Sequence, residues 1–385
     1  MENFKMVAKT LFGFEDLLAQ ELTNLGARDV NKGIRMVSFS GDIGFMYKAN
    51  LALRTAIKIL KPISSFRLSS EQELYQHIYN MPWEEHLSEN GSLAINATVH
   101  SLRFKHSQYI ALKTKDAIVD RFRDQKGVRP NIDLRFPDLK INIHIDKNHC
   151  TVSLDSSGES LHRRGYKTAT NIAPINEVLA AGLIMLSGWD GQSDFRDPMC
   201  GSGTILIEAA MIACNIPPNL MRKEFAFERW QDWDVELFEK IESSLLSKTR
   251  DFHFKISGFD KSPSAVRKAL DNVKNAHLEE FISVKHEDFF KTKKGEETPL
   301  HMVFNPPYGE RLEQLDVVSF YADIGSTLKH GYPGTNAWFI TSNLEGLKSV
   351  GLKPSRKIKL FNAKLEARLV NYKMYEGSKK KRYLN

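Results

Sequence analysis

The 385-residue sequence contains only 3 cysteines, Cys150, Cys200 and Cys214. None forms a CxxC pair or sits beside histidines at zinc-ligand spacing, so neither a disulfide framework nor a metal site is expected. Sparse thiols of this kind suit small buried positions in a reducing compartment, and a cytoplasmic location is expected. No uncharged apolar run reaches the ~18 residues of a membrane-spanning helix, so no membrane partner is expected. The opening MENFKMVAKTLFGFEDLL carries acids early and lacks a clean apolar core, which argues against a secretory signal. Internal repeats are absent, and charge of neither sign dominates. Lys plus Arg is 54 against 47 Asp plus Glu, a net +7 that permits a polyanionic partner without requiring one. What is present is ordinary for a soluble globular chain, 42% hydrophobic and 26% charged residues. The length exceeds one compact domain, so two or three are expected; the sequence leaves the oligomeric state open.

Residues 1–60 read as a small α+β unit. Phe14, Leu17, Leu18 and Leu22 share one face of a helix, and residues 36–39 form a strand. Residues 61–160 read similarly, with a strand at 93–99, an amphipathic helix over 107–123, and strands at 141–145 and 150–154 flanking a hairpin turn. Basic residues recur here, among them Arg103, Lys105, His106, Lys113, Lys115, Arg121 and Arg123; a solvated face is the plain reading of such a run. A basic turn, His162-Arg163-Arg164, marks the handover to residues 161–385. There, strands at 195–197, 254–260, 282–284, 302–305 and 337–341 alternate with helices at 204–213, from Ser262-Pro263 onward, and at 315–329. Strict alternation implies a parallel sheet. Segments 357–361 and 367–375 read as adjacent strands, hence an antiparallel edge.

Three motifs carry chemistry. Asp197-Pro198-Met199-Cys200-Gly201-Ser202-Gly203-Thr204 lies between a strand and an apolar helix. Its glycines let the backbone approach a ligand, and the helix behind presents free N–H groups. No GK[ST] follows, and Leu206 stands at the third glycine position of a dinucleotide turn, so neither a P-loop nor a nicotinamide site is favoured. The leading acid suits a cationic ligand. Asp260 ends the next strand, where a carboxylate accepts from both ribose hydroxyls or caps the following helix. It lies well beyond the ~20-residue gap of a dinucleotide fold; an insertion over 215–250, bearing Pro217, Pro218, Phe225, Phe227, Trp230 and Trp233, accounts for the excess. In Asn305-Pro306-Pro307-Tyr308, two prolines end a strand and stiffen the turn. The Asn305 side-chain oxygen and the Pro306 carbonyl are two acceptors beside the ring of Tyr308. That set suits a planar amino group, adenine N6 or guanine N2; a purely structural strand-ending turn is the alternative.

DPMCGSGT followed by NPPYGER resembles the class I methyltransferases that modify exocyclic amino groups of bases. LHRRGYKTATNIAPINEVLAA resembles the segment ahead of the glycine turn in THUMP-containing RNA methyltransferases. The likeness is greatest to the N-terminal methyltransferase half of bacterial 23S rRNA guanine-N2 methyltransferases. It is strong over about 160–312 and weaker over the first 150 residues. Where many relatives have a lysine, this sequence has Asn176. The resemblance implies an α/β, Rossmann-like sheet, mostly parallel with an antiparallel edge strand, in residues 161–385. It also implies a ferredoxin-like unit at 1–60 and a THUMP RNA-binding domain at 61–160. It implies S-adenosylmethionine as cofactor, held by Asp197, Cys200, Gly201, Ser202, Gly203 and Thr204 at its amino-acid end. Asp260 would hold its ribose, Asp288 the adenine amino group, and Phe289 the adenine ring. Asn305, Pro306, Pro307 and Tyr308 would hold the target base. Lys113, Lys115, Arg121, Arg123, His162, Arg163 and Arg164 would contact RNA, with 23S rRNA the implied partner. An adenine-N6 methyltransferase acting on RNA or DNA, and a catalytically inactive RNA-binding protein, remain the competing readings.

Overall fold

The computed structural model describes residues 2–168, 175–295, 298–307 and 317–375. They fall into two compact units, one of Met1–Thr10, Ala19–Leu161 and Arg222–Ser244, the other of Leu11–Leu18, His162–Met221 and Leu245–Asn385.

In chain order the elements are β1 (Phe4–Thr10), α1 (Glu15–Leu25), β2 (Arg28–Gly33), β3 (Met36–Gly41), α2 (Ile43–Ala52), β4 (Ala56–Arg67), α3 (Glu71–Asn80), β5 (Ser92–His100), α4 (Ser107–Lys126), β6 (Asn131–Ile132), β7 (Leu139–Asp146) and β8 (His149–Asp155). The strands make one eight-stranded sheet, β2-β3-β1-β4-β8-β7-β5-β6. The two α+β segments read from the sequence therefore share a sheet. The join is the long strand β4, antiparallel to β1 on one side and to β8 on the other. The expected hairpin is β7–β8, with Asp146 opposite His149 and Lys147 in the left-handed region at φ 55°. Residues of the aromatic insertion pack in this unit. Phe227 and Trp233 lie 4.6 and 5.2 Å from the Tyr47 ring, and the Asp234 N–H donates to the Tyr47 hydroxyl at 3.2 Å. Arg222 donates to the carbonyls of Ser157, Glu159 and Ser160. Residues 222–244 of the insertion are thus part of the first unit.

The remaining elements are α5 (Glu177–Ser187), β9 (Asp194–Asp197), α6 (Thr204–Ala213), α7 (Val235–Leu246), β10 (Ile256–Asp260), α8 (Pro263–Asn275), β11 (Ile282–His286), β12 (Leu300–Phe304), α9 (Val317–Gly331), β13 (Thr335–Thr341), β14 (Arg356–Asn362) and β15 (Leu365–Lys373). The second sheet runs β11-β10-β9-β12-β13-β15-β14. Its first five strands are parallel and β15 is antiparallel to both neighbours, as the sequence pattern predicts. Strand order reverses between β9 and β12, which leaves a crevice at their carboxyl ends. Two close approaches fix the packing. A Cβ at Gly258 would lie 2.3 Å from Leu206 Cδ1, so glycine at this position lets β10 and α6 approach closely. A Cβ at Gly182 would lie 2.1 Å from the Phe14 ring, which seats the 11–18 segment on α5. Among the described residues no helix is long and apolar enough to cross a membrane.

Candidate active site and cofactor pocket

The crevice over β9 and β12 holds a cavity of about 450 Å³. Four strand ends converge on it. Asp197 closes β9, Asp260 closes β10, Asp288 follows β11 and Asn305 follows β12, and all four line the cavity. The sequence placed Asp197, Asp260 and Asn305 at strand ends, and the family resemblance pointed to Asp288; their meeting at one crevice follows from the strand order.

The glycine turn is held from below and from the side. The Cys200 N–H donates to the Phe259 carbonyl at 2.8 Å, and the Gly203 N–H to the Cys200 carbonyl at 2.8 Å. Gly201 and Gly203 have φ of 56° and 80°, a region glycine enters without steric cost. Asp260 accepts from the Gly201 N–H at 3.0 Å and from the Ser262 N–H at 2.9 Å. Its carboxylate therefore ties the glycine turn to the N-terminus of α8, in addition to any ribose it holds. Asp197 is 1% exposed, and its Oδ1 accepts from the Met199 N–H at 3.1 Å. No cation pairs with it among the described residues. Burial, reinforced by the neighbouring Asp260, pushes its carboxyl well above the usual range. The Cys200 thiol is raised by burial and by the same two acids, which keeps it protonated.

Two further polar atoms at the cavity are buried without a hydrogen-bond partner among the described residues, Asn305 Oδ1 and Thr204 Oγ1. A buried polar atom left unsatisfied costs about 1–3 kcal/mol, and such atoms in a cavity mark where a ligand donates. The donor set fits a nucleoside with a cationic amino-acid arm: a lone buried carboxylate, a backbone turn, a strand-end acid and apolar walls.

Phe289 lines the cavity but is 2% exposed, with its ring packed on Phe304 and Tyr332 at 5.8 and 5.6 Å. Most of its surface is committed to the core. The adjacent Phe290 is half-buried and also lines the cavity, edge-on to Phe320. The sequence reading missed Phe290, together with Met199, Lys261, Ser264, Lys268 and Phe320. A phenylalanine pair after a strand gives no local sign of which ring faces the crevice. Pro306 and Pro307 follow Asn305 as expected; Tyr308 lies outside the described residues.

The basic residues expected to meet RNA divide. Arg164 is buried: its Nε donates to Glu208 at 3.3 Å with both side chains fully enclosed, and its Nη1 donates to Asn219 at 3.1 Å. It is a core ion-pair residue and not a phosphate contact. Arg121 clamps Glu84 through two bonds of 3.0 and 2.6 Å and donates to the Tyr79 carbonyl, so α4 uses it to hold the α3 side of the unit. Lys113 sits 5.0 Å from the Tyr75 ring, Lys115 pairs with Asp116, and Arg123 pairs with Asp120 while staying exposed. His162 is half-buried and Arg163 exposed.

Residues 164–371 match the RMKL-like methyltransferase domain, residues 69–155 the THUMP domain and residues 5–60 the RlmL ferredoxin-like domain. The protein slr0064 of Synechocystis sp., whose name carries the words RNA methyltransferase, is 35% identical over 365 residues, covering 94% of this chain and 95% of that one. The chain belongs to the RMKL-like methyltransferase family. The ribosomal RNA large subunit methyltransferase K/L of Cellvibrio japonicus is 38% identical over 377 residues, 94% of this chain and 50% of that protein. The chain thus spans about half the length of the K/L proteins it matches. The solved structure of SMU.472, complexed with SAH, has a TM-score of 0.87 at 30% identity and covers 98% of this chain and 100% of its own. The family resemblance and the fold class read from the motifs are both borne out.

Proposed function

We propose that this chain transfers the methyl group of S-adenosylmethionine to N2 of a guanine in large-subunit ribosomal RNA. The observation that carries this reading is Asn305 Oδ1, buried and unpartnered at the cavity that also holds Asp197 and Asp260. S-adenosylmethionine supplies an electrophilic methyl group on a sulfonium. Asp197 faces the cationic amino-acid arm, the 200–204 turn follows its backbone, Asp260 accepts from the ribose, and Asp288 accepts from the adenine amino group. Phe290 takes the ring-packing role, with Phe289 behind it. Asn305 Oδ1 and the Pro306 carbonyl accept from the two N–H bonds of the target amino group. These contacts would withdraw the nitrogen lone pair from conjugation with the ring and aim it at the methyl; the N–C bond would form as the C–S bond breaks, releasing S-adenosylhomocysteine, and the surplus amino proton would pass to solvent. Tyr308 is assigned to stacking on the base. Positioning of this sort contributes roughly 7–11 kcal/mol in well-oriented reactions. The base must be unpaired or flipped out, which favours an exposed RNA segment.

Large-subunit rRNA is favoured by the names of the K/L relatives, and guanine N2 over adenine N6 by the resemblance of the LHRRGY junction and the NPPY turn to the guanine-N2 methyltransferases. In this reading residues 1–60 and 61–160 hold the RNA and 161–385 carry the chemistry. His162, Arg163, Lys113, Lys115 and Arg123 remain the phosphate contacts, and the reaction runs in the cytoplasm. The test is nucleoside analysis of rRNA and tRNA from a deletion strain, before and after treatment with purified protein and labelled cofactor. Label in N2-methylguanosine of 23S rRNA is expected. Label in N6-methyladenosine moves the reading to adenine, label confined to tRNA moves it to another RNA, and no label at all favours a binding protein.

Asp197 makes cofactor affinity depend on pH. Burial and the neighbouring Asp260 hold its carboxyl above the ordinary range, so the free protein keeps the neutral form to higher pH than an exposed aspartate does, and the stabilising contribution of that form is lost as pH rises through the shifted value. A cationic ligand favours the carboxylate. Binding therefore releases a proton and tightens as pH rises from the ordinary carboxylate range through the shifted value. Calorimetry in buffers of different ionisation enthalpy is expected to show this proton release in wild type and its loss in Asp197→Asn. Equal proton counts in the two proteins would remove Asp197 from the cationic arm.

A further inference from the structure

Asn272 is fully buried on α8, on the same face as Ala265, Ala269 and Val273. An amide on an otherwise apolar helix face has to be satisfied by something specific, and here both ends of it are. Its Nδ2 donates to the Ser202 carbonyl at 3.0 Å, and its Oδ1 accepts from the Thr168 N–H at 3.2 Å. The first contact is inside the glycine turn. The second is at the end of the 166–168 segment, which Asn275 also holds through the Tyr166 carbonyl at 3.3 Å and Thr168 Oγ1 at 2.7 Å. The same segment reaches the cavity wall by a second route. Lys167 Nζ donates to the carbonyl of Ile175, a lining residue, at 2.9 Å and pairs with Glu177 of α5 at 3.2 Å.

We propose that Asn272 is a positioning residue: one side-chain amide sets the glycine turn and the 166–168 segment relative to each other. Asn272 does not line the cavity, so it acts through Ser202 and Thr168. Other ties of the turn run to β10 through the Phe259 carbonyl and Asp260, to Asp197 through the Met199 N–H, and to α6 through the Gly203 carbonyl. The Asn272 bond is what fixes its far side. Gly203 supports this arrangement, since a Cβ there would meet Ala269 Cβ at 3.3 Å, so the turn lies directly on α8. The inference rests on the cofactor reading for its functional consequence, while the coupling itself does not.

The test compares wild type with Asn272→Leu, Asn272→Asp and Asn275→Ala. The readouts are S-adenosylhomocysteine affinity by calorimetry, thermal midpoint, and amide hydrogen exchange. Leucine removes both bonds. Aspartate keeps the shape and the acceptor for Thr168 but no longer donates to Ser202 when ionised, and it carries the test should the leucine variant fold poorly. Both Asn272 variants are expected to bind about tenfold more weakly, the loss typical of a buried hydrogen bond. Exchange should speed up at residues 199–204 and at 166–168 together, with the amides of β12 and β13 unchanged. Asn275→Ala should speed exchange at 166–168 alone. Affinity within twofold of wild type in the Asn272 variants, or exchange that rises uniformly across the unit, overturns the proposal. Failure of wild type to bind S-adenosylhomocysteine counts against the cofactor reading, and the paired exchange at the two segments still decides the coupling.

Discussion

Asn305→Ala is expected to reduce methyl transfer by on the order of 100- to 1000-fold, the usual consequence of deleting a preorganised polar group aimed at the reacting centre. Cofactor affinity should stay within about twofold of wild type, because the proposed cofactor contacts are Asp197, the glycine turn, Asp260, Asp288 and Phe290 and do not include Asn305. The substitution removes an oxygen that has no hydrogen-bond partner among the described residues, so little folded-state stability goes with it. Phe304 before it and Pro306 after it are both buried, which keeps the strand end in place. Asn305→Asp retains an acceptor at the same point and should keep more activity than alanine. The measurement is labelled methyl transfer with a parallel cofactor titration. Full activity in the alanine variant, or loss of both activity and cofactor binding, would mean that Asn305 does not hold the target amino group.

The second large effect is on stability. Arg164→Met is expected to cost about 3–5 kcal/mol, the range for breaking a buried ion pair and stranding the remaining charge. Glu208 lies in the second turn of α6, just behind the glycine turn, and its carboxylate also accepts from the Tyr166 hydroxyl at 3.3 Å. With Arg164 gone, that carboxylate is enclosed beside a tyrosine and has lost its guanidinium. The double variant Arg164→Met with Glu208→Leu should recover most of the loss, since replacing both buried charges by apolar groups of similar volume is often neutral. Equilibrium unfolding in urea measures both. A near-neutral Arg164→Met combined with weakened RNA binding would restore the phosphate role that the basic LHRRGY segment first indicates.

Those two residues also show where local reading works. Asn305 was legible because its signal is local. An apolar strand followed by two prolines ends at the asparagine before them, and the structure places Asn305 just after β12 at the cavity. The same holds for the glycine turn and for Asp260 at the end of its strand. Arg164 was misread because its partner Glu208 is on another element, and a cation in a basic run looks the same in sequence whether it faces water or a buried carboxylate. Arg121, matched by Glu84 on the neighbouring side of α4, fails in the same way.

By itself the sequence determined many of the elements, the parallel character of the second half with its antiparallel edge, the three motifs and the family. All of these rest on short-range periodicity, strand-ending chemistry and residue spacing along the chain. Tertiary structure alone decided the rest. It joined the two front segments into one eight-stranded sheet through β4 and used the aromatic insertion to pack Tyr47. It buried Arg164, set Phe290 beside Phe289 at the cavity, and joined Asn272 to the Ser202 carbonyl and the Thr168 N–H. The physical reason is common to all of them. Burial and hydrogen-bond satisfaction belong to groups brought together across large separations in sequence, and no local pattern records which distant group will arrive.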